Sequence, residues 1–452
     1  MTDLIDSFPA GRTAAQSARV LASGRYAVLL TAAGGGFSAF DGFALTRWSA
    51  DRTRDADAFA VYLRDADTGE VWSAGHQPVG RAADRYAADL DRAEIVRVDG
   101  DVETRTELRV APEGDAELRR ITLTNRGARA RRVEVTTYAE LVLNTPAGDA
   151  GHPAFSKLFV QTGWDAERRA LVAWRRLRSP DDAPLWAVHR LLSEDDGEPT
   201  YETDRARFVG RGRTTASPAA LRAGAHLSGT VGNVLDPVFA LRRTVVLAPG
   251  ASARLVAVLG AGSARRDVEA VADRYSSPAA TDAVFAAAPS ASPVDADALG
   301  IPEAWTRHVG DLPVPGDASS EDENRFRPAS PSSEVGEDGL GWETEELRFF
   351  NGHGGFTADG REYVIRLPLT ADGLKRPPLP WTNVIANEEL GFLVSESGAG
   401  NTWGANSREN RLTPWFNDPV SDPHGEALYL RDEEAGTFWS PTPGPAPGAG
   451  AY

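Results

Sequence analysis

Two stretches of this chain are copies of one another. Residues 45–73 and 412–440 align without a gap at a constant offset of 367, and 13 of the 29 paired positions are identical. The shared residues include Thr46/Thr413, Trp48/Trp415, Asp51/Asp418, Tyr62/Tyr429, Arg64/Arg431, Asp65/Asp432, Gly69/Gly436 and Trp72/Trp439. The strand and glycine turn just before them match with a small shift, pairing Gly34 with Gly398 and Gly36 with Gly400. Solenoid repeats recur every ~20–50 residues, so this period describes a duplicated domain instead. The copies are unequal. After Trp72 the strand pattern runs on to residue 262, whereas 13 residues follow Trp439. Opening strands without partners would leave backbone groups unsatisfied and an apolar face bare. Three arrangements answer this: a truncated or split reading frame, another polypeptide that completes the sheet, or packing of the second copy onto the first.

The pattern along both copies is β. Residues 26–31 form a short apolar run stopped by Gly34, Gly35 and Gly36, which read as a tight turn. Residues 121–124 alternate, meet the turn signal Asn125-Arg126-Gly127, and the alternation resumes over 133–138. Residues 244–247 and 255–259, around Ala248-Pro249-Gly250, read as a hairpin. Period-2 runs broken by Gly, Pro and Asn turns predict antiparallel sheets rather than alternating β-α units. The expected fold is all-β: a large antiparallel sandwich over residues 1–262, then a second, truncated sandwich over 344–452. Between them, Val268, Val271, Ala272 and Tyr275 recur at helical spacing, which predicts a helical segment over 263–288. Residues 289–343 are rich in Pro, Ser, Asp and Glu and predict a flexible linker. Short strands are expected again at 364–365, 384–385 and 392–394.

Charge and composition narrow the partners. The formal net charge is −17, with 65 acidic against 48 basic residues, which argues against nucleic acid and anionic membranes. A neutral partner such as a glycan fits better. The chain has no cysteine, which removes disulfides, thiolate metal sites and a cysteine nucleophile. No stretch approaches 18 uninterrupted apolar residues and no signal-peptide pattern opens the chain, so the expected location is the cytoplasm. No metal, cofactor or membrane insertion is expected. His353 lies in a glycine turn with no second ligand at metal spacing.

Six segments carry a family resemblance: 34–55, 62–78, 233–245, 347–367, 380–400 and 406–432. They resemble the family 94 glycoside phosphorylases, formerly glycosyltransferase family 36, and more narrowly the tandem sandwich region of cyclic β-1,2-glucan synthases. The resemblance covers about residues 24–285 and 345–443. It implies a galactose-mutarotase-like super-sandwich. It also implies a catalytic (α/α)6 barrel after the second sandwich, and that barrel has no counterpart in these residues. Independent phosphorolysis is therefore not expected, and no catalytic residue is assigned.

An inverting phosphorylase needs a general acid and a cationic phosphate pocket in fixed geometry. No carboxylate here stands out as that acid. Binding residues are easier to suggest. Asn406, Arg408, Asn410, Arg411, Trp415 and Asp418 crowd planar hydrogen-bonding groups beside an indole, as sugar sites do. In the first copy Arg47, Trp48, Asp51 and Arg54, with Arg52, are the analogous set. The identity of Trp48/Asp51 with Trp415/Asp418 equally suits a shared scaffold. Arg64-Asp65 and Arg431-Asp432 read as ion pairs or turn formers, and Trp72 and Trp439 as core. Trp164, Trp174 and Trp186 either fill the core or form a glycan platform. The function these readings favour is a carbohydrate-binding or scaffold region whose partner is a β-glucan or oligosaccharide. A second reading is the N-terminal part of a split phosphorylase or glycosyltransferase that acts only with a separately encoded catalytic barrel. A third is a docking protein with no glycan ligand.

Overall fold

The computed structural model describes residues 18–49, 51, 55–180, 182–195, 197–289, 327–328, 346–370 and 373–448. Apart from residues 289 and 327–328, the stretch read as a linker lies outside these, as do Arg52 and Arg54. The chain divides into two compact units. The first comprises residues 1–210 and 214–319, the second residues 211–213 and 320–452.

The first unit is built from seventeen strands. They are β1 (Ala18–Ser23), β2 (Tyr26–Thr31), β3 (Ser38–Phe40), β4 (Phe43–Thr46), β5 (Ala60–Asp65), β6 (Val71–Ser73), β7 (Arg85–Asp89), β8 (Glu94–Asp99), β9 (Val102–Val110), β10 (Ala116–Asn125), β11 (Arg131–Asn144), β12 (Val160–Asp165), β13 (Ala170–Arg175), β14 (Trp186–Ser193), β15 (Thr200–Asp204), β16 (Pro237–Leu247) and β17 (Ser252–Gly262). Nine make one antiparallel sheet in the order β1-β2-β3-β4-β11-β16-β15, with β5 and β6 branching from β11. The other eight make a second sheet in the order β12-β13-β14-β17-β10-β9-β8-β7.

Alternation explains how the sheets meet. Along β11, Val133, Val135, Ala139 and Leu141 enter the central core, while Glu134, Thr136, Tyr138 and Glu140 occupy the other face. Phe239 and Leu241 of β16 and Leu255, Ala257 and Leu259 of β17 enter the same core. The eight-stranded sheet is apolar on its outer face as well: Leu118, Val256 and Val258 join a second cluster. The helix α1 (Arg265–Arg274) covers that face with Val268, Val271 and Ala272, and Tyr275 follows. It sits close because Gly260 has no side chain. A Cβ there would lie 2.6 Å from Val271 Cγ1.

One expectation fails. Residues 244–247 and 255–259 are not a hairpin, because β16 lies in the nine-stranded sheet and β17 in the eight-stranded one. The chain arches from one layer to the other, as it does between β10 and β11. Asn125 clamps the two arches: its Nδ2 donates to the carbonyls of Arg129, Leu247 and Ala248.

In the second unit the strands are β18 (Arg327–Pro328), β19 (Gly354–Phe356), β20 (Tyr363–Ile365), β21 (Leu369–Thr370), β22 (Gly373–Leu374), β23 (Thr382–Ala386), β24 (Leu390–Ser395), β25 (Gly400–Gly404), β26 (Leu430–Asp432) and β27 (Thr437–Trp439). They form small sheets, the largest being β23-β24-β25 and β18-β27-β26. The duplication is reproduced residue by residue. Leu63↔Trp72 and Arg64↔Val71 recur as Leu430↔Trp439 and Arg431↔Phe438. Asp65 Oδ1 accepts from the Asp67 and Thr68 amides, and Asp432 Oδ1 from those of Glu434 and Ala435. Ala18↔Thr31 of β1-β2 recurs as Thr382↔Ser395 of β23-β24.

Candidate functional site

The duplication allows each position of one hairpin to be compared in two settings. In the first copy β3 and β4 pair through Ala39↔Ala44. In the second, Trp403↔Arg411 is the equivalent bridge, because the intervening turn is three residues longer. The backbone frame is kept: the Ser38 amide donates to Thr46 Oγ1, and the Thr402 amide to Thr413 Oγ1. The side chains differ. In the first copy Phe37 stacks on Trp48 with ring centroids 5.4 Å apart, and Ala39 and Ala44 join them in an apolar cluster. In the second copy these positions hold Asn401, Trp415, Trp403 and Arg411. Two apolar fillers have become a hydrogen-bonding amide and a guanidinium, and a third has become an indole.

The added turn is well ordered by its own polar groups. Asn406 Oδ1 accepts from the Arg408 and Glu409 amides at 2.9 and 3.0 Å. Asn410 Nδ2 donates to the Gly404 carbonyl at 3.0 Å, and Arg411 Nε to the Ser407 carbonyl at 3.2 Å. Arg408 pairs with Glu409 at 3.1 Å, both well exposed. Trp403 is half-buried and backed by Gly391, whose missing side chain makes room for the indole. Trp415 is half-buried too. Asp418 turns the chain beyond them, its Oδ1 accepting from the Val420 and Ser421 amides. The loop thus brings Asn406, Arg408, Asn410 and Arg411 together on one exposed turn. Asn406 and Asn410 shape that turn, while the two guanidiniums reach outward from it.

The first-copy set is placed differently. The Arg47 guanidinium binds Asp149 at 2.6 Å and Glu140 at 3.2 Å. Glu140 also holds Arg205 at 2.7 Å, and Asp236 bridges Arg205 and Lys157 at 3.1 and 2.7 Å. These six largely buried side chains form a closed network of three cations and three anions on the outer face of β11. Burial raises the Asp236 carboxyl, against the lowering pull of Lys157 and Arg205. Trp48 is half-buried under Phe37. The Asp51 carbonyl accepts from the Asp55 amide. Arg54 lies outside the described residues.

Other aromatics divide likewise. Trp72 is buried in the central core, but Trp439 is only half-buried among the described residues. Trp164 stacks on Tyr201 at 4.4 Å and Trp174 on Trp186 at 5.1 Å, each pair packed against a core cluster. The cavity between the first unit's sheets, lined by Phe59, Thr106 and Arg119 among others, holds about 30 Å³. That admits a water or two and no sugar. Among the described residues no three His, Asp or Glu side chains converge to hold a metal ion. Sequence reasoning missed Trp403 and Asn401. The available signal was their replacement of Ala39 and Phe37 just after the matching glycines Gly34/Gly398 and Gly36/Gly400.

A family model for the supersandwich domain of glycosyl hydrolase 94 matches residues 3–278 and 361–452. The chain belongs to the glycosyl hydrolase 94 family. The two matched segments contain residues 45–73 and 412–440 respectively. Among curated proteins the chain is similar to the cyclic β-(1,2)-glucan synthase NdvB of Rhizobium meliloti, 30% identical over 580 residues, covering 93% of the chain and 20% of the synthase. It is also similar to the N,N′-diacetylchitobiose phosphorylase of Vibrio proteolyticus, 26% identical over 54% of the chain and 30% of that protein. The solabiose phosphorylase of Paenibacillus borealis is 29% identical over 42% of the chain and 24% of its own length. The chain therefore spans between a fifth and a third of these glycosyl hydrolase 94 relatives.

Proposed function

We propose that this chain is a carbohydrate-contacting scaffold region of a β-glucan synthase-like or phosphorylase-like protein, and that the second copy's hairpin supplies the contact. The observation that carries this reading is the exchange of Ala39 and Ala44 for the half-buried Trp403 and the exposed Arg411 on one shared backbone frame. A pyranose offers an apolar face and a rim of hydroxyls. Indoles meet the first, and guanidinium and amide groups the second. Trp403, Arg408, Arg411 and Trp415 are the contact residues, with Asn406, Asn410 and Asp418 shaping the loop. Arg47, Trp48 and Asp51 hold the corresponding scaffold in the first copy. The ligand is a β-glucan or an oligosaccharide, and the similarity to a cyclic β-(1,2)-glucan synthase makes β-1,2-linked glucan the first to try.

Saturation-transfer NMR on the full chain with β-1,2-glucan oligosaccharides tests this. Transfer to the sugar that drops about tenfold in Trp403→Ala is expected. Undiminished transfer in that variant, or none to any β-glucan with the native chain, contradicts it. The reading as part of a split enzyme draws support from one feature, the exposure of Ile385, Phe392, Leu428 and Leu430 in the second unit among the described residues. In that reading a separately encoded catalytic barrel must be added before any glucose 1-phosphate is released from β-glucan and phosphate.

A further inference from the structure

At one corner of the eight-stranded sheet, three arginines of the first unit gather without an acid to pair them. Val160 of β12 lies opposite Arg175 of β13, and just beyond them the Arg176 amide donates to the Phe159 carbonyl at 2.8 Å. The short helix Pro153–Lys157 leads into β12, and a turn around Asp182 follows β13, so both bring side chains to this corner. Arg175, Arg176 and Arg178 converge on the Phe159 ring, their guanidinium carbons 5.3, 5.7 and 5.5 Å from its centroid. Arg178 also lies 5.8 Å over Phe155, whose ring meets Phe159 edge-on at 5.2 Å. Arg175 is half-buried, while Arg176 and Arg178 are exposed. Phe155 is 45% exposed beside them.

The charges at this corner do not balance. The chain holds 65 acidic residues against 48 basic ones, yet among the described residues none of these three guanidiniums has a carboxylate within ion-pair distance. They donate to carbonyls instead: Arg175 Nη1 to Ser156 at 3.1 Å and Arg176 Nη2 to Leu158 at 3.0 Å. The nearest acids are engaged elsewhere. Asp182 Oδ2 accepts from the Arg178 and Ser179 amides at 2.7 and 3.1 Å, and Asp149 holds Arg47 at 2.6 Å. Burial, and after it the charge of Arg178, lower the pKa of the Arg175 guanidinium. A ring face attracts a cation, but three like charges about one ring still repel each other. A bound anion removes that repulsion. The planar fork of arginine suits oxyanions that accept two parallel hydrogen bonds, and a phosphate group offers three acceptor oxygens with nearly two negative charges. A single carboxylate would leave more of the positive charge unmet.

We infer that Arg175, Arg176 and Arg178 form a phosphate-binding site on the first unit, with Phe155 flanking it. Arg176 and Arg178 supply outward N–H groups to the phosphate oxygens, and Arg175 holds the positive charge behind them. Inorganic phosphate and a hexose phosphate share this chemistry. In the second case the exposed Phe155 ring takes the apolar face of the sugar. The site uses none of the residues on the second copy's hairpin, so it stands whether or not that hairpin contacts a glycan.

Titration calorimetry on the full chain, at constant ionic strength in chloride, tests it with inorganic phosphate and glucose 1-phosphate. Saturable binding of at least one of them is expected. The double variant Arg176→Gln, Arg178→Gln keeps amide donors but loses both charges, and should weaken that binding about tenfold. Arg361→Gln, at an exposed arginine of the second unit, should leave it unchanged. Phe155→Ala separates the two sources. If the ligand is a hexose phosphate, the native chain binds glucose 1-phosphate about fivefold tighter than inorganic phosphate, and the variant loses that advantage. Equal or weaker binding of the ester makes inorganic phosphate the ligand. No saturable binding of either compound, or undiminished binding in the double variant, would overturn the inference.

Discussion

At the scale of single residues, Asp55 and Asp422 show the same turn solved twice. Both have left-handed backbone, φ 41° and 49°, and both amides bond the carbonyl four residues earlier. Asp422 Oδ2 accepts from Ser395 and Ser397. Asp55 has Thr31 at the first of those positions but Ala33 at the second, and its Oδ1 is buried without a partner. Burial pushes its carboxyl up from 3.8 to about 7. Because the folded value is raised, the ionised form is the disfavoured one. Below pH ~4 there is no cost. Stability falls as pH rises from about 4 to about 7, by on the order of 4 kcal/mol. Asp55→Asn should flatten this slope in thermal midpoints measured from pH 4 to 8. Ala33→Ser, which copies the hydroxyl of Ser397, should raise the midpoint at pH 8 and leave it unchanged at pH 4. The pair of aspartates was legible from the repeat. The missing hydroxyl was not, because only folding shows that positions 33 and 55 meet.

Among elements, the alternation of residues 244–247 and 255–259 identified two strands correctly and their partnership wrongly. Period 2 reports which side chains share a face, not which sheet a strand joins. The deciding contact is the Asn125 clamp, which ties two inter-sheet arches that are far apart in sequence. Asn125→Ala removes three hydrogen bonds, one of them to the buried Leu247 carbonyl, and should cost about 2–4 kcal/mol in urea unfolding. The helix α1 was readable because its apolar residues recur at 3.6-residue spacing. The role of Arg47 was not, since its partners come from β11 and residue 149. Glu140→Ala leaves three buried cations facing two carboxylates, Asp149 and Asp236, and should destabilise the first unit by about 3–5 kcal/mol. The fold of the second unit should be untouched, as read by tryptophan fluorescence of the two transitions. Gly391→Ala tests the other hairpin: its Cβ would meet the Trp403 indole, so glycan binding should weaken without loss of the β24 strand.

For the whole molecule, the duplication, the all-β class and the family were visible in the linear sequence, since matching residues and turn signals are local. What separates the copies is not local. One keeps its apolar face under a second sheet and spends its Arg47 on a buried network. The other leaves that face open and carries amides, guanidiniums and indoles on the hairpin. No helix among the described residues is long and apolar enough to cross a membrane. The central claim is that one backbone frame serves as scaffold in the first copy and as glycan surface in the second. Calorimetric titration of β-1,2-glucan oligosaccharides into Arg411→Ala and Arg47→Ala, each corrected for its folded fraction, measures this. The account predicts at least tenfold weaker binding for Arg411→Ala and native affinity for Arg47→Ala. Native affinity in Arg411→Ala with binding lost in Arg47→Ala would contradict it.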